Sequence, residues 1–175
     1  MSQTKSKPSD FTVQLLAKIH DRSVFSCGVE ALDNYLKKNC EGQDVEKRVA
    51  VCYVLTPDRK TVAGFYTLSQ YSVDLVNLPH EIARKLPRYP LVPATRIGRM
   101  AISQNFEGQK LGEFLLLDAL HRCLQHSKQV ATFAVIVDAK DEPARQFYDH
   151  FDFLKLAGFP NRLFLPMKTI EKSIP

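Results

Sequence analysis

Apolar and polar positions alternate in short runs along much of the chain, broken by a few stretches of helical spacing. After about ten polar residues, FTVQLLAKI combines β-branched content with partial alternation and predicts a strand. Residues 29–43 put Leu32, Tyr35 and Leu36 on one face, which predicts a helix with Ser26 or Asp21 as its cap. RVAVCYVLT reads as a buried strand, and TPDRK is a turn with Pro at its second position. VAGFYTLSQYSV then returns as the second strand of a hairpin.

Pro79 opens a short helix to about Lys85, with the proline at the first helical position. KLPRYPLVPA, with three prolines, predicts a loop before the strand TRIGRMAIS. An apolar helix reaching about His126 follows the turn NFEGQK. QVATFAVIVDA is a strand whose five consecutive apolar residues, Phe133 to Val137, suit a central position. DEPARQFYDHF is a short helix with Pro143 in its first turn and Asp141 as cap. Strands around FDFLKL and NRLFLPMKT close the chain. The order predicts a mixed α/β fold, with antiparallel hairpins and a strand–helix–strand unit near the centre.

Composition narrows this only moderately. At 175 residues, 45% hydrophobic and 25% charged, the chain suits one globular domain. We expect a flexible N-terminus over residues 1–10, a single domain over 11–170 and a tail over 171–175. The net charge of +5 favours anionic partners without fixing one. Cys27, Cys40, Cys52 and Cys123 form no C-x-x-C pair and read as thiols in a reducing compartment. The histidines and cysteines show no metal-ligand spacing. The start MSQTKSKPSD lacks a signal-peptide core, and no apolar run approaches the roughly 20 residues of a membrane span. These features lead to the expectation of a soluble, cytoplasmic protein with no membrane partner.

Gly108 and Gly112 precede and open the apolar helix, in a stretch that fits neither G-x-G-x-x-G nor the P-loop pattern. Alone they leave open a phosphate cradle or a plain strand-to-helix connection. RIGRMAIS, NFEGQKLGEFLLLDAL and VDAKDEPARQFYDHFDF, in that order, resemble the GNAT family of N-acetyltransferases. FSCGVEALDNYL, VAGFYTLS, LPRYP and LPMKTI extend the likeness to the family's toxin branch, which acetylates the amine of charged transfer RNA. The resemblance spans about residues 10 to 170. It implies the GNAT acyltransferase fold, a mostly antiparallel mixed sheet with flanking helices and a splayed central strand pair.

The resemblance also implies site residues and the co-substrate acetyl-CoA. Main chain at Met100, Ala101 and Ile102 would bind pantetheine, in the gap where this strand splays from VATFAVIVD. The family loop Gln/Arg-x-x-Gly-x-Gly/Ala falls on Glu107, Gly108, Gln109, Lys110, Leu111 and Gly112. Its successive N–H groups and the helix N-terminus would hold the pyrophosphate. Gly112 matches this pattern, Glu107 replaces Gln or Arg, and Lys110 replaces a Gly. Glu113, Asp138 and Ala144 complete the cofactor-binding set. Tyr148 would donate a proton to the departing thiolate, and its alternative is a half-buried core aromatic. Asp152 stands where the family often has Gly, which leaves the turn after that helix open.

From Arg84 to Arg99 the chain carries Arg84, Lys85, Arg88, Arg96 and Arg99 and no acidic residue. The run is either a solvated face or, as the toxin branch implies, a site for RNA phosphates. No general base is evident in the motifs. A lysine amine titrating near about 10.4 would need one, whereas an α-amine near about 7.7–8.0 attacks without it. Acetyl transfer to the α-amine of aminoacyl-tRNA, which the toxin-branch resemblance implies, is the leading function, and the missing base accords with it. Acetylation of a small amine or protein N-terminus, and a non-catalytic acyl-CoA or RNA-binding module, are the alternatives. Charged tRNA is the implied partner, with an antitoxin protein and a homodimer left open.

Overall fold

The computed structural model describes residues 7–174. The expected flexible lead therefore falls largely outside the described residues, and Pro8–Asp10 form a single 3₁₀ turn. The strands are β1 (Thr12–Leu15), β2 (Val51–Thr56), β3 (Gly64–Asp74), β4 (Leu91–Ile102), β5 (Ala134–Asp138), β6 (Leu154–Lys155) and β7 (Arg162–Pro166). They form a seven-stranded sheet in the order β1-β2-β3-β4-β5-β7-β6. The β4–β5 pair is parallel, while β1–β2, β2–β3, β5–β7 and β6–β7 are antiparallel. The helices are α1 (Glu30–Asn34), α2 (His80–Ala83), α3 (Leu111–Ser127), α4 (Glu142–His150) and α5 (Met167–Ser173).

Two compact units share this chain, and neither is a continuous segment. The first takes residues 1–69 and 99–119, the second 70–98 and 120–175. In the first, Phe25, Tyr35, Leu36, Cys40, Cys52, Val54, Val62 and Phe65 form the core, with Ala101 packed against it. In the second, Val73, Leu78, Val92, Ala94, Ala134, Ile136, Leu156 and Phe164 do so. Each fully buried aliphatic or aromatic side chain contributes about 1.5–3 kcal/mol.

Several elements differ from the sequence expectation. The predicted helix at residues 29–43 is α-helical only over Glu30–Asn34 and continues as a π-helix over Tyr35–Val45. Neither Ser26 nor Asp21 caps it: Val29 occupies the N-cap without a side-chain bond, and Asp21 accepts from Ser23 instead. β4 begins at Leu91, so part of the proline-rich segment is strand rather than loop. Pro93 has no N–H to give, and its carbonyl accepts from Phe133 at 2.8 Å. Pro79 is the N-cap of α2 rather than its first residue. The last strand stops at Pro166, and Met167–Ser173 form α5, so residues 171–173 are helical rather than tail.

Candidate functional site

The first unit holds the end of β4 and the turn into α3. The β4–β5 register runs from Ala94↔Ala134 to Ile97↔Val137, and β4 then continues to Ile102. Met100, Ala101 and Ile102 are half-buried. A Cβ on Gly64 would meet Ile102 Cδ1 at 2.6 Å and the Ala101 carbonyl at 3.0 Å, so glycine is what lets β3 approach here. Beyond the strand, Ser103 N–H donates to the Ala63 carbonyl at 2.8 Å and Gln104 N–H to the Ser26 carbonyl at 2.7 Å. The loop after β4 is thus tied to the FSCG segment.

Two residues of the following turn are left-handed, Gly108 at φ 75° and Lys110 at φ 57°. Residues of this hand turn successive N–H groups into a concavity that suits an anion. Lys110 takes the glycine conformation although it carries a Cβ, at a cost of about 1–2 kcal/mol. A Cβ on Gly108 or Gly112 would meet nothing within 4 Å, so both open onto free space. Gly112 and Glu113 lie in the first turn of α3, where N–H groups lack intrahelical partners. Leu111 is buried and anchors that turn, with Leu115, Leu116 and Ala119 continuing the buried face. Glu107 is exposed. Gln109 Oε1 is buried and meets no hydrogen-bond partner among the described residues. The left-handed turn and the open face suit an anion, whereas the Gln109 oxygen is an acceptor and offers it no donor.

The second unit holds Tyr148 on α4. Asp141 caps this helix by accepting from Ala144 N–H at 2.8 Å, and Pro143 sits in the first turn. That bond engages the Ala144 amide. At the other end Asp152 is left-handed at φ 64°. Phe153 N–H donates to the Tyr148 carbonyl at 3.3 Å, and Asp152 N–H to the Asp149 carbonyl at 3.1 Å. This bond pair is a Schellman cap, with an aspartate doing what glycine usually does. The turn that the sequence left open therefore keeps the conformation a glycine would take. Tyr148 is 9% exposed and packs against Phe147 and Phe153, each with ring centroids 5.3 Å away. Burial, and then the Asp138 charge, push its phenol up to about 12.

Asp138, at the end of β5, faces two arginines. Arg162 Nε donates to Oδ1 at 2.7 Å and Nη2 to Oδ2 at 3.3 Å, and Arg96 also donates to Oδ2. Arg162 lies between the Tyr71 and Phe159 rings, at 5.2 and 4.6 Å from their centroids. Nothing in the sequence pattern signalled these partners, because they are brought together by β4, β5 and β7 register.

The basic run is acid-free in sequence but not in space. Arg84 pairs with Glu81 at 2.8 Å, Arg96 with Asp138, and Arg99 with Asp44 at 3.6 Å. Lys85 and Arg88 are exposed in the loop after α2.

The end of β4 and the open left-handed turn thus lie in the first unit, and the buried tyrosine lies in the second. Residues 18–153 match the Acetyltransferase (GNAT) family, and the chain belongs to it. It is similar to a tRNA-acetylating toxin of Mycobacterium tuberculosis (strain ATCC 25618 / H37Rv). The two are 36% identical over 148 residues, which cover 85% of this chain and 87% of the relative. Among solved structures it resembles AtaT complexed with acetyl-methionyl-tRNAfMet. There the TM-score is 0.88 at 29% identity, over 94% of this chain and 99% of that one. It also resembles a mutant AtaT toxin bound to the C-terminus of the antitoxin AtaR and acetyl-CoA. That match has a TM-score of 0.79 at 28% identity, over 94% of this chain and 97% of the other.

Proposed function

We propose that this protein moves the acetyl group of acetyl-CoA to the α-amine of an aminoacyl-tRNA, a translation-blocking activity. The observation that carries the substrate is the likeness, over 94% of this chain, to a protein solved with acetyl-methionyl-tRNAfMet. The use of charged tRNA in the cytoplasm supports a cytoplasmic site of action, and the AtaT toxin bound to its antitoxin supports an antitoxin partner. Residues 11–170 act as one acetyltransferase domain.

Acetyl-CoA, the co-substrate, supplies the thioester whose C–S bond breaks as the amine nitrogen bonds to the carbonyl carbon. Main-chain N–H groups from Gly108 to Glu113 hold its pyrophosphate, with the Lys110 ammonium as an added cation. The end of β4, at Met100, Ala101 and Ile102, aligns pantetheine through backbone groups. Tyr148 gives its proton to the sulfur that takes the C–S electron pair, the amine releases one proton to solvent, and the phenolate takes one back from solvent. A phenol held at about 12 stays protonated at any physiological pH. A thiolate forming in the same dry surroundings is raised as well, which keeps donor and acceptor matched. Arg88 and Arg99 bind RNA phosphates.

Incubation with labelled acetyl-CoA and total charged tRNA, followed by mass analysis of the released aminoacyl-adenosines, tests this. Acetylated aminoacyl-adenosine is the expected product. Acetylation of free small amines with charged tRNA untouched would overturn the substrate and leave the acetyltransferase.

A further inference from the structure

Tyr35 and Asp44 have no part in the acetyl-transfer chemistry above, yet they make a tight contact nine residues apart in sequence. In an α-helix, at about 100° per residue, nine residues would put them on opposite faces. The stretch Tyr35–Val45 is π-helical instead, with i→i+5 bonds such as Glu46 N–H to the Glu41 carbonyl at 2.9 Å. At about 4.4 residues per turn, nine residues make about two turns and return both side chains to one face. There the Tyr35 hydroxyl donates to Asp44 Oδ2 at 2.6 Å.

Both residues meet Arg99. Its guanidinium carbon lies 3.7 Å from the Tyr35 ring centroid, and its Nη1 lies 3.6 Å from the same Asp44 oxygen. The Arg99 backbone is fixed too, since its N–H donates to Oγ1 of buried Thr67 at 3.0 Å. The ring thus covers one guanidinium face, and the carboxylate stands just beyond hydrogen-bond reach of one corner. The Arg99 side chain nevertheless keeps 43% of its surface exposed. Arg99 immediately precedes Met100 on the strand assigned to pantetheine.

We propose that the π-helix makes Tyr35 and Asp44 positioning residues for Arg99, with Asp44 as a resident counter-anion that a substrate phosphate displaces. The proposal rests on charged tRNA being the substrate. A planar guanidinium already oriented by an aromatic face loses little freedom on forming a two-pronged bond to phosphate. A carboxylate at 3.6 Å is held loosely enough to be exchanged. It screens Arg99 from free anions while admitting a phosphate that the rest of a polyanion holds in place.

The test is binding of uncharged tRNA, by fluorescence anisotropy over a salt series, beside turnover on charged tRNA. Asp44→Asn keeps an oxygen for the Tyr35 hydroxyl and removes the charge. Its Kd for tRNA should fall about two- to fivefold, the size of a partly exposed ion pair. KM for charged tRNA should fall with it, while kcat and the acetyl-CoA KM stay unchanged. In an Arg99→Ala background the same substitution should do nothing, a non-additivity that a merely structural Asp44 does not produce. Arg99→Lys, which keeps the charge but lacks the planar face, should weaken tRNA binding severalfold. An inert Asp44→Asn, an equal shift with and without Arg99, or an inert Arg99→Lys overturns the proposal. So does a wild-type protein that binds no tRNA. The expected binding shifts without acetylation of charged tRNA would sink the substrate instead. Acetylation with unmoved binding would sink the Arg99 cradle alone.

Discussion

The Tyr148 carbonyl accepts the Phe153 amide N–H at 3.3 Å, and the rings of the same two residues lie 5.3 Å apart. Both contacts belong to the left-handed turn at Asp152. The position of the phenol is therefore set partly by Asp152, in the turn beyond the helix.

Asp152 should respond to substitution accordingly. Asp152→Gly relieves a left-handed side chain and should stabilise the fold by about 0.5–1 kcal/mol, read from denaturant unfolding. Asp152→Val places a β-branched residue at φ 64° and should destabilise by more than about 1 kcal/mol. With the cap weakened, kcat should fall while acetyl-CoA affinity holds. A Val variant of wild-type stability and rate would show that the cap does not set the tyrosine.

Tyr148→Phe keeps the ring contacts and removes the proton. Turnover should drop by about 10²–10⁴-fold, with acetyl-CoA binding by calorimetry nearly unchanged. The phenol is raised from 10.0 to about 12, so its proton stays on through the whole working range. Its contribution to stability is full below pH 10 and is lost as pH rises towards 12. The wild-type rate should accordingly show no alkaline fall near pH 10 from this group. A decline centred there would mean an ordinary, solvated phenol.

Gly112 separates ligand binding from folding. Its Cβ position is open and its backbone is helical, so the protein itself does not require glycine there. Gly112→Val should leave the melting temperature unchanged or slightly raised, since glycine is a poor helix former. Acetyl-CoA affinity should nevertheless fall at least tenfold, because the methyls fill the space through which a pyrophosphate would approach. Calorimetry showing wild-type affinity would place the phosphates elsewhere.

Arg88 and Arg96 belong to one basic run but should behave differently. Arg88→Ala is expected to flatten the salt dependence of KM for charged tRNA by roughly one phosphate contact, at constant stability. Arg96→Ala instead removes a partner of Asp138 and should lower stability by about 1 kcal/mol, allowing for solvent around that pair. Equal salt slopes in the two variants would count against this division.

Much of the fold was legible because local chemistry and tertiary structure agree. α4 shows it best: Asp141 and Pro143 mark its start, and the helix begins there. The hairpin of β2 and β3 and the central place of β5 were equally readable from apolar runs and a proline turn. The start of β4 was hidden by Pro93, which suits a strand only where no N–H is needed. The pitch change at Tyr35 was hidden more deeply, since periodicity in one short stretch cannot distinguish i→i+4 from i→i+5 bonding. Tyr148 and the Gly108–Gly112 turn were singled out by motif order, and the structure shows one buried and the other left-handed. The partners of Asp138 and Arg99 come from distant strands and helices, and no local spacing announces them.

The interleaving of the two compact units bears on how the chain matures during synthesis. The first unit needs residues 99–119 as well as those up to 69, so it cannot close until the chain has reached Ala119. The second cannot close until β7 arrives at Arg162–Pro166. At about 5–20 residues per second, the nascent chain passes through a few seconds in which the Gly108–Gly112 turn exists and the Tyr148 half is unfinished. The half that carries Tyr148 thus closes only after the half that carries the Gly108–Gly112 turn has all of its residues.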